Sequence, residues 1–179
     1  KFPYLGPEIR AVSWAPHDGH ANPRLAAPAF ARAAAREGAR IVEDTEVVRV
    51  EKTAGRFVAT CADGSTYRAA VLLITAGAWG SQLSEQFGEP VPMSVHGPQM
   101  AVTEPVPYCL VPVVGASSDS IEEIFYFRQV KRGNIVMGGC ARGPAYPDLR
   151  RAYVLPGSPL KQFVQLERII PALRRLSII

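Results

Sequence analysis

The chain is predicted to be α/β plus α+β: an α/β portion followed by a mostly antiparallel β-sheet portion with helices. Three observations predict this. A continuous apolar run, Val71-Leu-Leu-Ile-Thr75, ends abruptly in Ala76-Gly77-Ala78 before a helix-forming stretch, the pattern of a buried strand in a parallel sheet. Ahead of it lies a segment of helical periodicity that begins at Asn22-Pro23. From Pro92 onward, strand-length runs alternate with Gly, Pro and polar breaks, as antiparallel strands do.

The elements follow in order. Asn22 is expected to cap a helix with Pro23 at its first position. Leu25, Ala26, Ala29, Phe30, Ala33 and Ala34 give that helix one apolar face, and Gly38 stops it. Pro28 removes one intrahelical bond and is expected to kink the helix or shorten its first turn. Arg40-Ile-Val42 and Val47-Val-Arg-Val50 read as short strands around a polar turn. Phe57–Cys61 and Thr66–Ala69 read as a hairpin closed by Asp63-Gly64. The apolar strand Val71–Thr75 comes next. Beyond it, Met93–Thr103, Tyr108–Val113, Ile121–Arg128 and Asn134–Cys140 are strand candidates, and Leu160–Leu176 returns to helical spacing until Pro171 ends or kinks it. A boundary near Gly88–Pro92 divides the chain into residues 1–90 and 91–179.

Composition excludes several classes. At 179 residues with 47% hydrophobic and 20% charged content, the chain has the make-up of a globular protein. No apolar stretch approaches the ~20 residues of a membrane-spanning helix. The net charge is +4, but Arg32, Arg36, Arg40, Arg174 and Arg175 lie on solvated helix faces without interleaved aromatics, so nucleic-acid binding is not expected. Cys61, Cys109 and Cys140 lack metal or redox spacing and read as small buried hydrophobes in a reducing compartment. His17 and His20 flank Asp18-Gly19, but a zinc site needs three or four convergent ligands; a turn leading into the Asn22 cap is the better reading, and no metal is expected.

Glycine at the carboxyl end of a buried strand lets a ligand approach the backbone closely, and open α/β sheets bind ligands at that edge. Thr75, Ala76, Gly77 and Trp79 are therefore candidate ligand-contacting residues, the alternative being a tight strand–helix junction. Tyr126 and Arg128 alternate with Phe125 and Phe127 and share one face of a strand. An Arg fork binds a carboxylate through two parallel hydrogen bonds; a solvent-facing pair is the plainer reading of the same alternation.

The segment Ala76-Gly-Ala-Trp79 resembles the AGAW element of flavoprotein amine oxidases of the D-amino-acid oxidase superfamily. Leu5-Gly-Pro7 with Asp18-Gly-His-Ala-Asn-Pro23 is similar to the LGP…DGH(A/V)NP pattern of the subgroup that contains opine oxidase, hydrogen cyanide synthase and sarcosine oxidase beta-like subunits. Tyr126-Phe-Arg128 with Gly133-Asn-Ile-Val-Met-Gly-Gly139 resembles the family's Y-x-R…G-x-x-x-x-GG hairpin. The four motifs stand in the family's order over nearly the whole chain.

The resemblance implies FAD as cofactor. Residues 1–90 would hold the substrate-domain crossover and the second half of a Rossmann-like FAD-binding domain, and 91–179 a truncated substrate-binding domain. It implies that Val47 sits at the adenine, that Thr75, Ala76, Gly77 and Trp79 lie against the cofactor, and that Tyr126 and Arg128 hold the substrate carboxylate. Gln99 resembles part of an RGQ element in which His96 replaces the usual Arg. The implied reaction is oxidation of the C–N bond of an opine, sarcosine, glycine or a D-amino acid, in the cytoplasm or at the inner-membrane surface. O2, a quinone or a partner subunit would take the electrons. No G-x-G-x-x-G phosphate loop occurs in the chain, so it reads as an internal, by itself inactive, piece of a longer enzyme. The competing reading is a non-enzymatic α+β ligand- or partner-binding module.

Overall fold

The computed structural model describes residues 2–118, 120 and 124–179 and divides the chain into two units. One is Ala21–Val95; the other joins the residues up to His20 with His96–Ile179.

In the first unit, helix α1 (Pro23–Arg36) starts as its sequence dictates: Asn22 Oδ1 accepts the Arg24 N–H at 3.0 Å, and Pro23 occupies the first turn. The helix runs on through Pro28 without shortening. Gly38 (φ +91°) follows the Glu37 cap in the left-handed conformation that lets Ala39 N–H return to the Ala34 carbonyl. The apolar face is present but uncovered: no residue of α1 is buried, and Phe30 is 76% exposed.

Three antiparallel strands follow in the order β1-β2-β3: β1 (Val47–Thr53), β2 (Arg56–Cys61) and β3 (Thr66–Ala69). The β2–β3 hairpin turns at Asp63-Gly64 as expected. Asp63 accepts from the Ser65 hydroxyl at 2.6 Å and the Ser65 N–H at 2.9 Å, and these bonds hold its carboxyl below the usual range. The β1–β2 turn lies at Ala54-Gly55, both with positive φ. Arg40–Val42 is not a strand; β1 extends to Thr53 instead, because β2 offers it an unbroken ladder from Arg49 onward.

A second correction concerns Val71–Thr75. The run is extended, but no strand pairs with it among the described residues, and Val71 and Leu73 are 79% and 82% exposed. An apolar run becomes a buried strand only when neighbours supply both hydrogen bonds and cover. After it come a 3₁₀ turn (Gly77–Trp79), helix α2 (Gly80–Ser84) and a further 3₁₀ turn (Glu85–Phe87). Gln86 fastens this segment to β1: its Oε1 accepts the Val50 N–H at 2.9 Å, and its Nε2 donates to the Val48 carbonyl at 3.3 Å.

The second unit is built on a four-stranded antiparallel sheet of order β4-β7-β6-β5: β4 (Gly97–Pro105), β5 (Val114–Ala116), β6 (Phe125–Gln129) and β7 (Asn134–Gly143). A small pair, β8 (Ala145–Tyr146) and β9 (Arg151–Ala152), leads to helix α3 (Ser158–Ile169). Phe125, Phe127, Ile135 and Met137 from one sheet face pack with Leu110 and with Leu166, Ile169, Ile170 and Leu173 from α3 and its exit. Each large side chain so withdrawn from water is worth about 1.5–3 kcal/mol, so this layer dominates the unit's stability. Pro171 ends α3 as expected, and the chain continues in a 3₁₀ turn, Pro171–Leu173. The amino-terminal segment docks there through Gly6 N–H to the Ile169 carbonyl (2.7 Å) and a Glu8–Arg168 ion pair.

Tyr108–Val113 is not a strand. Pro107 and Pro112 carry no N–H for a ladder, and Leu110 instead turns its side chain into the core. Cys109 in that loop is exposed, against the buried place expected for it, whereas Cys61 is buried. Of the strand expected at Ile121–Arg128, residues 121–123 lie outside the described ones, and β6 begins at Phe125.

Candidate functional site

Strand β6 alternates strictly: Phe125, Phe127 and Gln129 point into the core, while Tyr126 and Arg128 stand on the opposite, open face of the sheet. Tyr126 is 41% exposed and Arg128 is half-buried. The two lie one pleat repeat apart, ~7 Å along the strand. Arg128 is bordered on the neighbouring strands by Val136 and, beyond it, Val102. Its Nε is buried without a hydrogen-bond partner, and the guanidinium enters no ion pair among the described residues. A buried N–H left without an acceptor beside apolar side chains is costly, and that cost falls when an anion arrives.

Tyr126 sits in register with Gly115 on β5 and Gly138 on β7, and Gly138 is in turn opposite Met100 on β4. The phenolic hydroxyl donates to Met100 Sδ at 3.4 Å. A side chain at residue 138 would prevent this: its Cβ would lie 2.5 Å from Met100 Sδ and 2.8 Å from the Tyr126 hydroxyl oxygen. At Gly115, by contrast, nothing stands within 4 Å of the same position.

Two glutamines whose roles the sequence did not disclose hold this sheet in shape. Gln129, fully buried beneath Arg128, accepts from the Cys109 and Leu110 N–H groups at 2.8 and 3.0 Å. Its amide donates to the carbonyls of Val106, Pro107 and Gly133 at 3.0–3.1 Å. Gln99 is also buried: it donates to the Gly97 and Tyr153 carbonyls and accepts from Leu155 N–H. Its place is in the wall rather than on the open face. The signal for Gln129 was present in the alternation, which sets a polar residue on the same face as Phe125 and Phe127.

Arg142 donates to the carbonyl of Gly139 at 2.7 Å. It lines a separate groove of about 660 Å³ between α3 and the ends of β6 and β7, with Phe125, Leu155, Lys161 and Gln162; Tyr126 and Arg128 do not contribute to that groove.

In the first unit, Val47 is half-buried at the start of β1, where the ladder to β2 shifts register. Thr75 ends the exposed apolar run, Ala76 precedes the 3₁₀ turn, and Trp79 closes it with 42% of its surface open. Gly77 adopts φ +54°, with nothing within 4 Å of where a Cβ would stand. This backbone is open to the close approach of a flat ligand. Gln86 links the same helical segment to β1 and so fixes the turn relative to Val47's strand.

These observations define a mixed α/β chain with one bare turn ahead of α2 and one sheet face bearing an Arg that has no partner among the described residues. The family of FAD-dependent oxidoreductases (DAO) matches residues 1–176, and the chain belongs to that family. Its fold is the DAO-like FAD-binding fold, with antiparallel sheets and helices. Among solved structures it is similar to L-proline dehydrogenase from P. horikoshii (TM-score 0.76, 24% identity), over 93% of this chain and 44% of that one. It is also similar to iminodiacetate oxidase (IdaA) from Chelativorans sp. BNC1 (TM-score 0.67, 23% identity), over 87% of this chain and 40% of that one. The chain thus spans less than half the length of either, and at this identity the likeness is one of fold. No curated protein matches it. Family membership implies FAD as cofactor; the bare, left-handed backbone at Gly77 fits one wall of such a group, while the chain has no G-x-G-x-x-G to hold the pyrophosphate.

Proposed function

We propose that this chain is the substrate-holding part, and one cofactor wall, of an enzyme that oxidises the C–N bond of an amino acid or secondary amine. The observation that carries the reading is Arg128, half-buried on an open sheet face with its Nε buried and without a partner among the described residues. A substrate carboxylate would complete it through a two-point fork, with the Tyr126 hydroxyl as a second donor. Thr75, Ala76, Gly77 and Trp79 would lie against the cofactor, and Val47 would present its backbone to the adenine.

When bound, FAD supplies the two-electron acceptor that takes a hydride from the carbon next to nitrogen, while the protein contributes binding and orientation. Arg128 and Tyr126 anchor the carboxylate end, so the adjacent C–H bond is presented in one orientation. The amine must shed its proton before transfer, and no charged base is needed on the sheet for that. The product imine is then hydrolysed by water to a carbonyl compound and a free amine.

Opines, sarcosine, glycine and D-amino acids all carry the required carboxylate. The titles of the two similar structures name L-proline and iminodiacetate, both carboxylated secondary amines, which favours that class. Electrons would pass to O2, a quinone or a partner subunit. The free Cys61 and Cys109 support a reducing compartment, the cytoplasm. No helix among the described residues is long and apolar enough to cross a membrane.

The test is the visible absorbance of the purified holoenzyme before and after anaerobic addition of an amine panel. Flavin bands that bleach with carboxylated secondary amines support the reading. A colourless protein that cannot be reconstituted with FAD sinks it and leaves a binding module.

A further inference from the structure

We infer that Met100 is a positioning residue for Tyr126: its thioether parks the phenolic hydroxyl over Gly138 and yields it when a substrate carboxylate arrives. The inference rests on the reading of Tyr126 as a substrate-contacting residue and deepens it.

Four residues, one on each of the four strands, make the device. Met100, Gly138 and Tyr126 are consecutive partners across β4, β7 and β6. The missing side chain at Gly138 opens a slot that the tyrosine ring and the methionine sulfur fill from either side. The hydroxyl donates to Met100 Sδ at 3.4 Å. On the other flank Gly115 leaves its position empty, so the ring leans toward Met100 and not toward β5. Both Met100 and Tyr126 are more than one-third exposed, and without this contact the ring would sample other rotamers over bare backbone.

The choice of sulfur matters. A thioether is a weak acceptor, so the contact holds the ring while surrendering the proton cheaply to a carboxylate, a far stronger acceptor. An amide or carboxylate in place of Met100 would hold the ring equally well and compete with the substrate for the proton. Arg128 stands one pleat repeat further along the same face, on the side from which the carboxylate would be held.

The experiment is a double-mutant cycle on the FAD-loaded holoenzyme. It reads the dissociation constant of 2-furoate, a flat carboxylate that cannot be oxidised, by calorimetry, alongside kcat and KM for the preferred amine. Met100→Leu, close to volume-conserving, is expected to weaken 2-furoate about threefold, the cost of re-ordering one freed side chain, and to raise KM with kcat unchanged. Met100→Gln is expected to weaken 2-furoate as well, although it restores a hydrogen bond. Tyr126→Phe is expected to weaken it at least about tenfold, as loss of a hydrogen bond to a charged group does. In the Tyr126→Phe background, Met100→Leu is expected to have no further effect. A Met100→Leu effect of equal size in that background overturns the inference, because Met100 then acts through packing and not through the hydroxyl. Unchanged 2-furoate binding in Tyr126→Phe alone overturns the reading of Tyr126 itself, a different outcome from the first.

Discussion

Gln129→Leu is the substitution that most directly tests how the sheet face is held. The wild-type side chain is 1% exposed and makes five hydrogen bonds to main-chain groups of the 106–110 loop and the β6–β7 turn. Leucine fills the same volume but bonds to none of them. Gly133's carbonyl keeps a second partner, the Val106 N–H at 3.1 Å, so its loss is small. Leu110's N–H is buried and has no alternative; a buried donor left unmade costs about 1–3 kcal/mol. Cys109's N–H and the carbonyls of Val106 and Pro107 lie nearer water and together add about 1–2 kcal/mol. The apolar leucine returns part of this, for a net loss of about 3 kcal/mol. Urea unfolding of the holoenzyme should show it as a midpoint lowered by ~1–2 M at a typical slope. Gln129→Glu separates hydrogen bonding from volume, since a carboxylate still accepts from Cys109 and Leu110 but faces three carbonyl oxygens. Its folded-state pKa is then raised, and its stability should fall as pH rises above the ordinary glutamate range. A Gln129→Leu loss below about 1 kcal/mol would refute the view that this amide organises the loop.

Three further outcomes are expected. Arg128→Met should raise KM for a carboxylated amine at least about tenfold, by loss of a charge-assisted fork, while leaving the melting temperature unchanged or higher because Arg128 has no partner to lose among the described residues; a lowered melting temperature would show a structural role. Gly77→Ala, at φ +54°, should cost about 1 kcal/mol of backbone strain and weaken FAD retention in equilibrium dialysis, and unchanged retention would remove the turn from the cofactor wall. Asp63 titrates below the usual range because Ser65's hydroxyl, and then its N–H, donate to the carboxylate. Its stabilising effect on the β2–β3 turn is therefore present above the ordinary aspartate range and lost as pH falls through the lowered value. The Ser65 amide resonance should follow that step in the wild type and show none in Asp63→Asn.

Local chemistry was legible wherever one residue or one period decides the outcome. The Asn22-Pro23 start of α1, the Gly38 stop, the Asp63-Gly64 hairpin, the end of α3 at Pro171 and the shared face of Tyr126 and Arg128 all follow from short-range rules, and the structure contains each of them. The motifs around Ala76–Trp79 and Tyr126–Arg128 also pointed to the family that matches residues 1–176.

Where sequence reading went astray, a neighbour was needed to decide. An apolar pattern says which side of α1 or of Val71–Thr75 avoids water, but not what covers it; here both stand exposed, and the run forms no ladder. Arg40–Val42 pairs with no strand among the described residues, and Tyr108–Val113 contains and follows prolines that cannot donate. The roles of Gln129 and Gln99 rest mainly on hydrogen bonds that span 19 to 56 residues, and the Met100–Tyr126 contact joins strands 26 residues apart through a gap at Gly138. By itself the sequence determined the family, the caps and turns, and which side chains share the open sheet face, because these depend on residue identity and spacing along the chain. Only the tertiary structure decided that Arg128 lacks a partner among the described residues and that Tyr126 has one, because pairing depends on which strands lie side by side, and register between distant strands is written in no local pattern.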